Sequence, residues 1–235
     1  MIEAALYLIP VPLSEGPFHR VLTAHNVEIV KEIRHYVVEN VRSARRFLKK
    51  CDPGIDIDSL TFCELNRHTD PADIESYLDP LAAGEPVGVI SEAGCPAVAD
   101  PGADVVAIAQ RRGFRVVPLV GPSSILLGLM ASGFNGQSFV FHGYLPIDAQ
   151  ARARKLRDMQ QSIMRENQTQ IFIETPYRND SLLTELTRVL PPQIRLCVAT
   201  DITGPNERII TRTIAQWARS NERPGKVPTI FLLYK

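Results

Sequence analysis

Val89-Ile90-Ser91-Glu92-Ala93-Gly94-Cys95-Pro96-Ala97-Val98-Ala99-Asp100-Pro101-Gly102 is the stretch on which the reading of this chain turns. The apolar run Val87–Ser91 enters it, and a helical pattern, Ala103–Arg112, leaves it. Small residues dominate the bend, two prolines stiffen it, and two glycines permit backbone angles closed to other residues. A long, stiff loop at the carboxyl end of a buried strand suits ligand binding in α/β sheets. The competing structural reading is a well-made connector.

Outward from this loop, short β-rich runs alternate with helical patterns. Candidate strands are Leu6–Val11, His35–Glu39, Thr61–Leu65, Val87–Ser91 and Arg115–Val120, then Ser138–Tyr144, Gln170–Glu174, Arg195–Thr200, Arg208–Thr213 and Thr229–Tyr234. Asp70 is a helix cap with Pro71 at the first helical position, and Ala72–Ala83 follows until Gly84 stops it. Further helices are Ala103–Arg112, a segment from Gly121-Pro122-Ser123 through Ala131, Ala151–Arg165, Asp180–Leu190 and a short piece around Ile214–Arg219. Strict alternation in the first half predicts a parallel sheet with helices on both faces. The second half has more strands per helix and predicts a smaller domain built on a mixed sheet. The boundary is placed at residues 116/117.

Composition narrows the class. The 235 residues are 45% hydrophobic and 22% charged, which excludes a disordered or fibrous chain. Lys+Arg and Asp+Glu both total 26, which argues against a strongly basic nucleic-acid wrapper. Cys51, Cys63, Cys95 and Cys197 are scattered, and His19, His25, His35, His68 and His142 show no ligand spacing. Free thiols in a reducing compartment and no catalytic metal are expected. The N-terminal segment lacks the pattern of a signal peptide, and the apolar run Val116–Ala131 is interrupted by Pro118, Gly121, Pro122, Ser123 and Ser124. A cytoplasmic protein with no membrane partner is expected.

Two other strand-end loops bear on function. Pro10-Val11-Pro12-Leu13-Ser14-Glu15-Gly16 lacks G-x-G-x-x-G, and its prolines remove N–H donors where a pyrophosphate would need them. A dinucleotide fold is disfavoured, and no phosphate-binding GxxxxGK[ST] occurs. Val120-Gly121-Pro122-Ser123-Ser124-Ile125 joins a strand to a helix whose free N–H groups could receive an anion, or which Ser123 merely caps.

ISEAGCPAVADPG, RVVPLVGPSS, SFVFHGYLP and FIETPYR occur in that order. Together they resemble the motifs of the tetrapyrrole (corrin/porphyrin) methylase superfamily, and within it the ribosomal RNA small subunit methyltransferase I branch. The resemblance runs from about Leu6 to Leu233. It implies a two-domain α/β fold, S-adenosyl-L-methionine as cofactor in a cleft between domains, and a homodimer. Carried over by position, Leu13, Ser91, Ala93, Gly94, Cys95, Val98, Ser123, Ser124 and Tyr144 would meet the cofactor, with Glu174 approaching from the second domain. Departures from the branch are Pro12-Leu13-Ser14-Glu15 for P-x-G-N, Glu39-Asn40-Val41-Arg42-Ser43 for E-D-T-R-H, Glu92 for aspartate and Cys95 for threonine.

Methyl transfer needs alignment more than acid–base groups. If the acceptor is a ribose hydroxyl, a nearby base helps, and the candidates are Glu39, Glu174 and His68. Each has a plainer reading: Glu39 pairs with Arg42, Glu174 pairs with Arg178, and His68 is a surface histidine. Arg42, Arg45, Arg46, Lys49 and Lys50 form one basic cluster, and Arg152, Arg154, Lys155, Arg157 and Arg165 another. They suit RNA phosphates or a solvated helix face. The readings left open are 2′-O-methylation of small-subunit ribosomal RNA, methylation of a tetrapyrrole or other small metabolite, and a non-catalytic binding protein. Trp217 is expected in the second core.

Overall fold

The computed structural model describes residues 2–66 and 68–235. The chain forms two compact units, one running to Ser123 and the other from Ser124 to Lys235. The division falls past the expected 116/117 boundary because Val116–Pro118 pairs with the first strand and so completes the first sheet.

The first unit contains strands β1 (Leu6–Ile9), β2 (His35–Val38), β3 (Thr61–Glu64), β4 (Val87–Ile90) and β5 (Val116–Pro118). They form one sheet in the order β3-β2-β4-β1-β5, and every pairing is parallel. Helices α1 (Ala24–Glu32) and α2 (Val41–Cys51) follow β1 and β2, and α3 (Pro71–Ile74), α4 (Asp79–Ala82) and α5 (Gly102–Arg111) come later. Side chains alternate across the strands, so the sheet has an apolar layer on each face. Tyr7, Tyr36 and Val38 pack with Ile29, Val30 and Leu48. Leu6, Val37 and Val89 pack with Leu78, Val105 and Ile108.

Helices α1 and α2, which the alternation implied without delimiting, start at Thr23 and Asn40; these accept N–H groups from Asn26 and Ser43. Asp70 caps α3 as its sequence context predicts, accepting the Ala72 N–H at 2.9 Å. The single helix expected over Ala72–Ala83 is instead α3, a 3-10 turn at Glu75–Leu78, and α4. Pro80 cannot donate an N–H and its ring crowds the preceding turn, so a continuous helix is barred there.

The second unit contains α6 (Ser124–Ser132), β6 (Phe139–Tyr144), α7 (Ala149–Glu166), β7 (Thr169–Ile173), α8 (Asn179–Val189), β8 (Arg195–Thr200), β9 (Arg208–Thr213), α9 (Ile214–Ala218) and β10 (Thr229–Tyr234). Its sheet runs β6-β7-β10-β8-β9. Only β6 and β7 are parallel; the other three pairings are antiparallel. This is the expected mixed sheet. Phe172 and Phe231 stack in its core at 5.6 Å between ring centroids. Trp217 is buried there as expected, and its indole N–H donates to the Leu196 carbonyl at 2.8 Å. Among the described residues no helix is long and apolar enough to cross a membrane.

Candidate active site

In the first unit, the chain leaves the carboxyl ends of β1, β4 and β5 through three loops that lock onto one another. Val11 and Gly94 exchange both backbone hydrogen bonds, at 2.9 and 3.1 Å. This isolated antiparallel bridge ties the first loop to the 91–101 bend. Gly121 lies against the Pro10 ring so closely that a Cβ there would sit 2.2 Å from its carbons. The Cys95 thiol donates to the Pro122 carbonyl at 3.4 Å. Asn26, buried at the start of α1, donates to the Val120 carbonyl at 2.8 Å and accepts the Thr23 hydroxyl at 2.7 Å. Four separate segments are thus fixed by side-chain and backbone groups that leave little freedom at the sheet end.

The 91–101 bend is held in an unusual shape. Gly94, Ala97 and Ala99 all have positive φ, at 75°, 66° and 62°. Left-handed backbone costs roughly 1–2 kcal/mol per non-glycine residue, so the two alanines need support. Asp100 supplies it at Ala97: its Oδ1 accepts the Ala97 and Gly102 N–H groups, each at 2.8 Å. Burial pushes the Asp100 carboxyl above its ordinary value, partly opposed by these two N–H groups.

The expected cofactor residues of this unit divide into two groups. Ala93 and Val98 are exposed on the bend, Val98 at 50%. Leu13, Cys95 and Ser123 are half-buried. Gly94 is where the bend and the first loop meet: a Cβ would lie 3.1 Å from Leu13 Cδ2 and 3.4 Å from the Pro122 oxygen. Ser91 differs, being 6% exposed and turned toward Glu39 and Asp100 around a cavity of about 10 Å³, near the size one water needs. Burial pushes the Cys95 thiol up, which favours the protonated form that donates to Pro122.

Glu39 sits at the end of β2, and its Oε1 accepts the Glu92 N–H at 3.2 Å in place of the expected Arg42 contact. Burial pushes its carboxyl up, the Glu92 N–H pulls it down, and the charges of Asp100 and Glu92 push it up further. Glu92 in turn accepts the Ser43 hydroxyl at 3.1 Å. The two altered residues Ser43 and Glu92 are therefore bonded to each other.

In the second unit, Ser124 opens α6, and Tyr144 ends β6 with 58% exposure. Glu174 follows β7 and is buried, and its Oε1 accepts the Thr175 N–H at 2.6 Å and the Arg178 guanidinium at 2.6 and 2.9 Å. Its carboxylate is thus committed to the plainer of its two expected roles, the ion pair four residues on, and it fixes the Pro176–Arg178 turn.

Ser14, Asn26 and Asp100 are not among the site residues expected from sequence. The Ser14 hydroxyl is buried with no hydrogen-bond partner, an orphan donor in the first loop that a ligand group would satisfy. Asn26 acts across 94 residues, which no local pattern announces. Asp100 carried a local signal in its D-P-G turn. Among the described residues no group of three His, Cys, Asp or Glu side chains is placed to hold a metal ion.

A parallel α/β unit with interlocked strand-end loops, joined in sequence to a mixed-sheet unit, defines a class, and the family comparison agrees with it. The model of the Tetrapyrrole (Corrin/Porphyrin) Methylases matches residues 20–218, and the chain belongs to that family. Among curated relatives, it is similar to "Ribosomal RNA small subunit methyltransferase I" of Vibrio cholerae, 28% identical over 233 residues that cover 97% of this chain and 76% of that protein. The Bacillus subtilis protein of the same name is 26% identical, covering 94% and 72%. Among solved structures, the methyltransferase CobJ aligns with a TM-score of 0.62 at 17% identity, covering 98% of this chain and 92% of that one. Uroporphyrin-III C-methyl transferase from Thermus thermophilus, complexed with S-adenosylhomocysteine, aligns at 0.56 and 19%, covering 98% and 97%. The chain is an S-adenosyl-L-methionine-dependent methyltransferase of this fold.

Proposed function

We propose that the loops after β1, β4 and β5 hold S-adenosyl-L-methionine, and that the acceptor is a ribose 2′-hydroxyl of small-subunit ribosomal RNA. The observation that carries the donor assignment is the glycine-floored junction at Gly94, with the orphan Ser14 hydroxyl beside it in sequence to Leu13. The absent Gly94 side chain lets Leu13 and the Pro122 carbonyl close onto the bend, which fixes the backbone that would meet the ligand. When bound, the cofactor supplies a methyl carbon activated by a sulfonium. The chain's own task is to hold the reacting groups in line, which can contribute ~7–11 kcal/mol. Glu39 is the better-placed proton acceptor of the two carboxylates, because Arg178 already occupies Glu174. A carboxyl raised by burial accepts a proton more readily than an ordinary one.

The names of the curated relatives and the exposed basic face of α2 support the RNA acceptor. Arg42, Arg45, Arg46, Lys49 and Lys50 project outward while Ala44, Phe47 and Leu48 are buried. A homodimer is part of the same proposal, supported by α6, which leaves Leu126 53% and Met130 79% exposed. We place the protein in the cytoplasm, where this acceptor is found. Incubation with methyl-labelled cofactor and unmethylated small ribosomal subunits should put label into an alkali-resistant dinucleotide. Label in a tetrapyrrole substrate, with none in the RNA, would overturn the acceptor assignment.

A further inference from the structure

The turn after β7 carries the most exposed large hydrophobic side chain of the described residues, Tyr177, at 82%. Its ring is a cation–π partner of Lys226, whose Nζ lies 5.6 Å from the ring centroid. Both residues stand on rigid supports. Glu174, three residues before the tyrosine, grips Arg178 directly after it, and α8 begins at Asn179. Asn179 is fully buried, and its amide donates to the Gly225 carbonyl at 3.1 Å, the Val227 carbonyl at 2.8 Å and the Thr229 hydroxyl at 3.0 Å. Asp180 accepts the Gly225 N–H at 2.8 Å. The loop bearing Lys226 is therefore clamped to the start of α8. The exposed ring and the ammonium are thus held side by side on neighbouring backbone that these bonds tie together.

We propose that Tyr177 and Lys226 form a docking point for an unstacked nucleobase and its phosphate, a second contact to the RNA substrate outside the donor loops. The proposal rests on the RNA reading given above. An aromatic face is sequence-tolerant for base stacking, and an adjacent ammonium neutralises the phosphate of the same nucleotide. The location fits, because β6 and β7 are the parallel pair of this sheet and Tyr144 lies in register with Ile173, four residues before Tyr177. Both exposed tyrosines thus leave the same end of the sheet.

The test is binding of the full chain to a small-subunit ribosomal RNA hairpin with an unpaired loop that carries 2-aminopurine. Tyr177→Ala should weaken binding about 5- to 150-fold and abolish the stacking-induced quench, whereas Tyr177→Phe should keep both. Lys226→Gln should lower the slope of log affinity against log salt by about one. Unchanged affinity for S-adenosylhomocysteine in each variant shows that folding is intact. Wild-type binding that Tyr177→Ala leaves unchanged would overturn the docking point while the RNA reading stands. Failure of the wild-type chain to bind any such RNA would overturn both.

Discussion

Gly94→Ala separates backbone strain from crowding at the donor loops. Gly94 has φ 75°, so any side chain there costs roughly 1–2 kcal/mol from the left-handed backbone alone. The added Cβ would also meet Leu13 Cδ2 at 3.1 Å and the Pro122 oxygen at 3.4 Å. The leucine methyl must retreat by a few tenths of an ångström, which shifts the Leu13 side chain assigned to the donor. Gly113→Ala is the matched control: its φ is 71°, and nothing lies within 4 Å of the position a Cβ would take. Both variants should lose the backbone share of stability, a fall in melting temperature of roughly 2–8 °C, with a further loss from crowding in Gly94→Ala. Only Gly94→Ala should also lose affinity for S-adenosylhomocysteine in calorimetric titration, by about tenfold or more, which is about 1.4 kcal/mol. Equal affinity in Gly94→Ala and wild type would refute the placement of the donor at this junction.

Three further outcomes are expected. Glu39 and Asp100 are acids raised in the folded state, so between their ordinary values of 4.5 and 3.8 and the raised ones the folded chain binds more protons than the unfolded chain. Their contribution to stability is therefore present at low pH and falls as pH rises through that window. Glu39→Gln should flatten the fall, seen as a smaller difference between melting temperatures measured across the acid range; an unchanged slope would count against the buried carboxyl. Arg178→Ala leaves Glu174 buried beside a single N–H, and denaturant titration should show a loss of about 1–3 kcal/mol, reduced from the fully buried case because Arg178 is half-exposed. Asn179→Ala removes the amide's contacts to Gly225, Val227 and Thr229 and leaves the Gly225 carbonyl wanting, while Val227 keeps the Thr229 hydroxyl, so a loss of about 1–3 kcal/mol is expected, with faster amide exchange at Gly225–Thr229.

Much of the fold could be read from local chemistry. All ten strands of the described residues are legible as short β-branched and aromatic runs, several of which end at glycine or proline, and strand–helix alternation gives a parallel sheet little choice. The segment Ala72–Ala83 was misread because its apolar period continues through Pro80, while the backbone cannot. The 116/117 boundary cuts through a strand that the alternation already reads with the first sheet, and the register of Val116–Pro118 against Leu6–Leu8 keeps it there. At the site, the small-residue bend was visible, yet what holds it was not. Asn26, Ser14 and the Val11–Gly94 bridge act between segments far apart in sequence. For Glu174 the spacing allowed two roles, and burial beside Arg178 selects the ion pair.

A crystal structure of the chain grown with S-adenosylhomocysteine bears on the donor assignment without any knowledge of the acceptor. Density for the ligand against Leu13, Gly94 and Val98, with a polar group of the ligand in hydrogen-bond reach of the Ser14 hydroxyl, is the expected result. Well-ordered ligand bound elsewhere on the chain, with the 91–101 bend untouched, would contradict it.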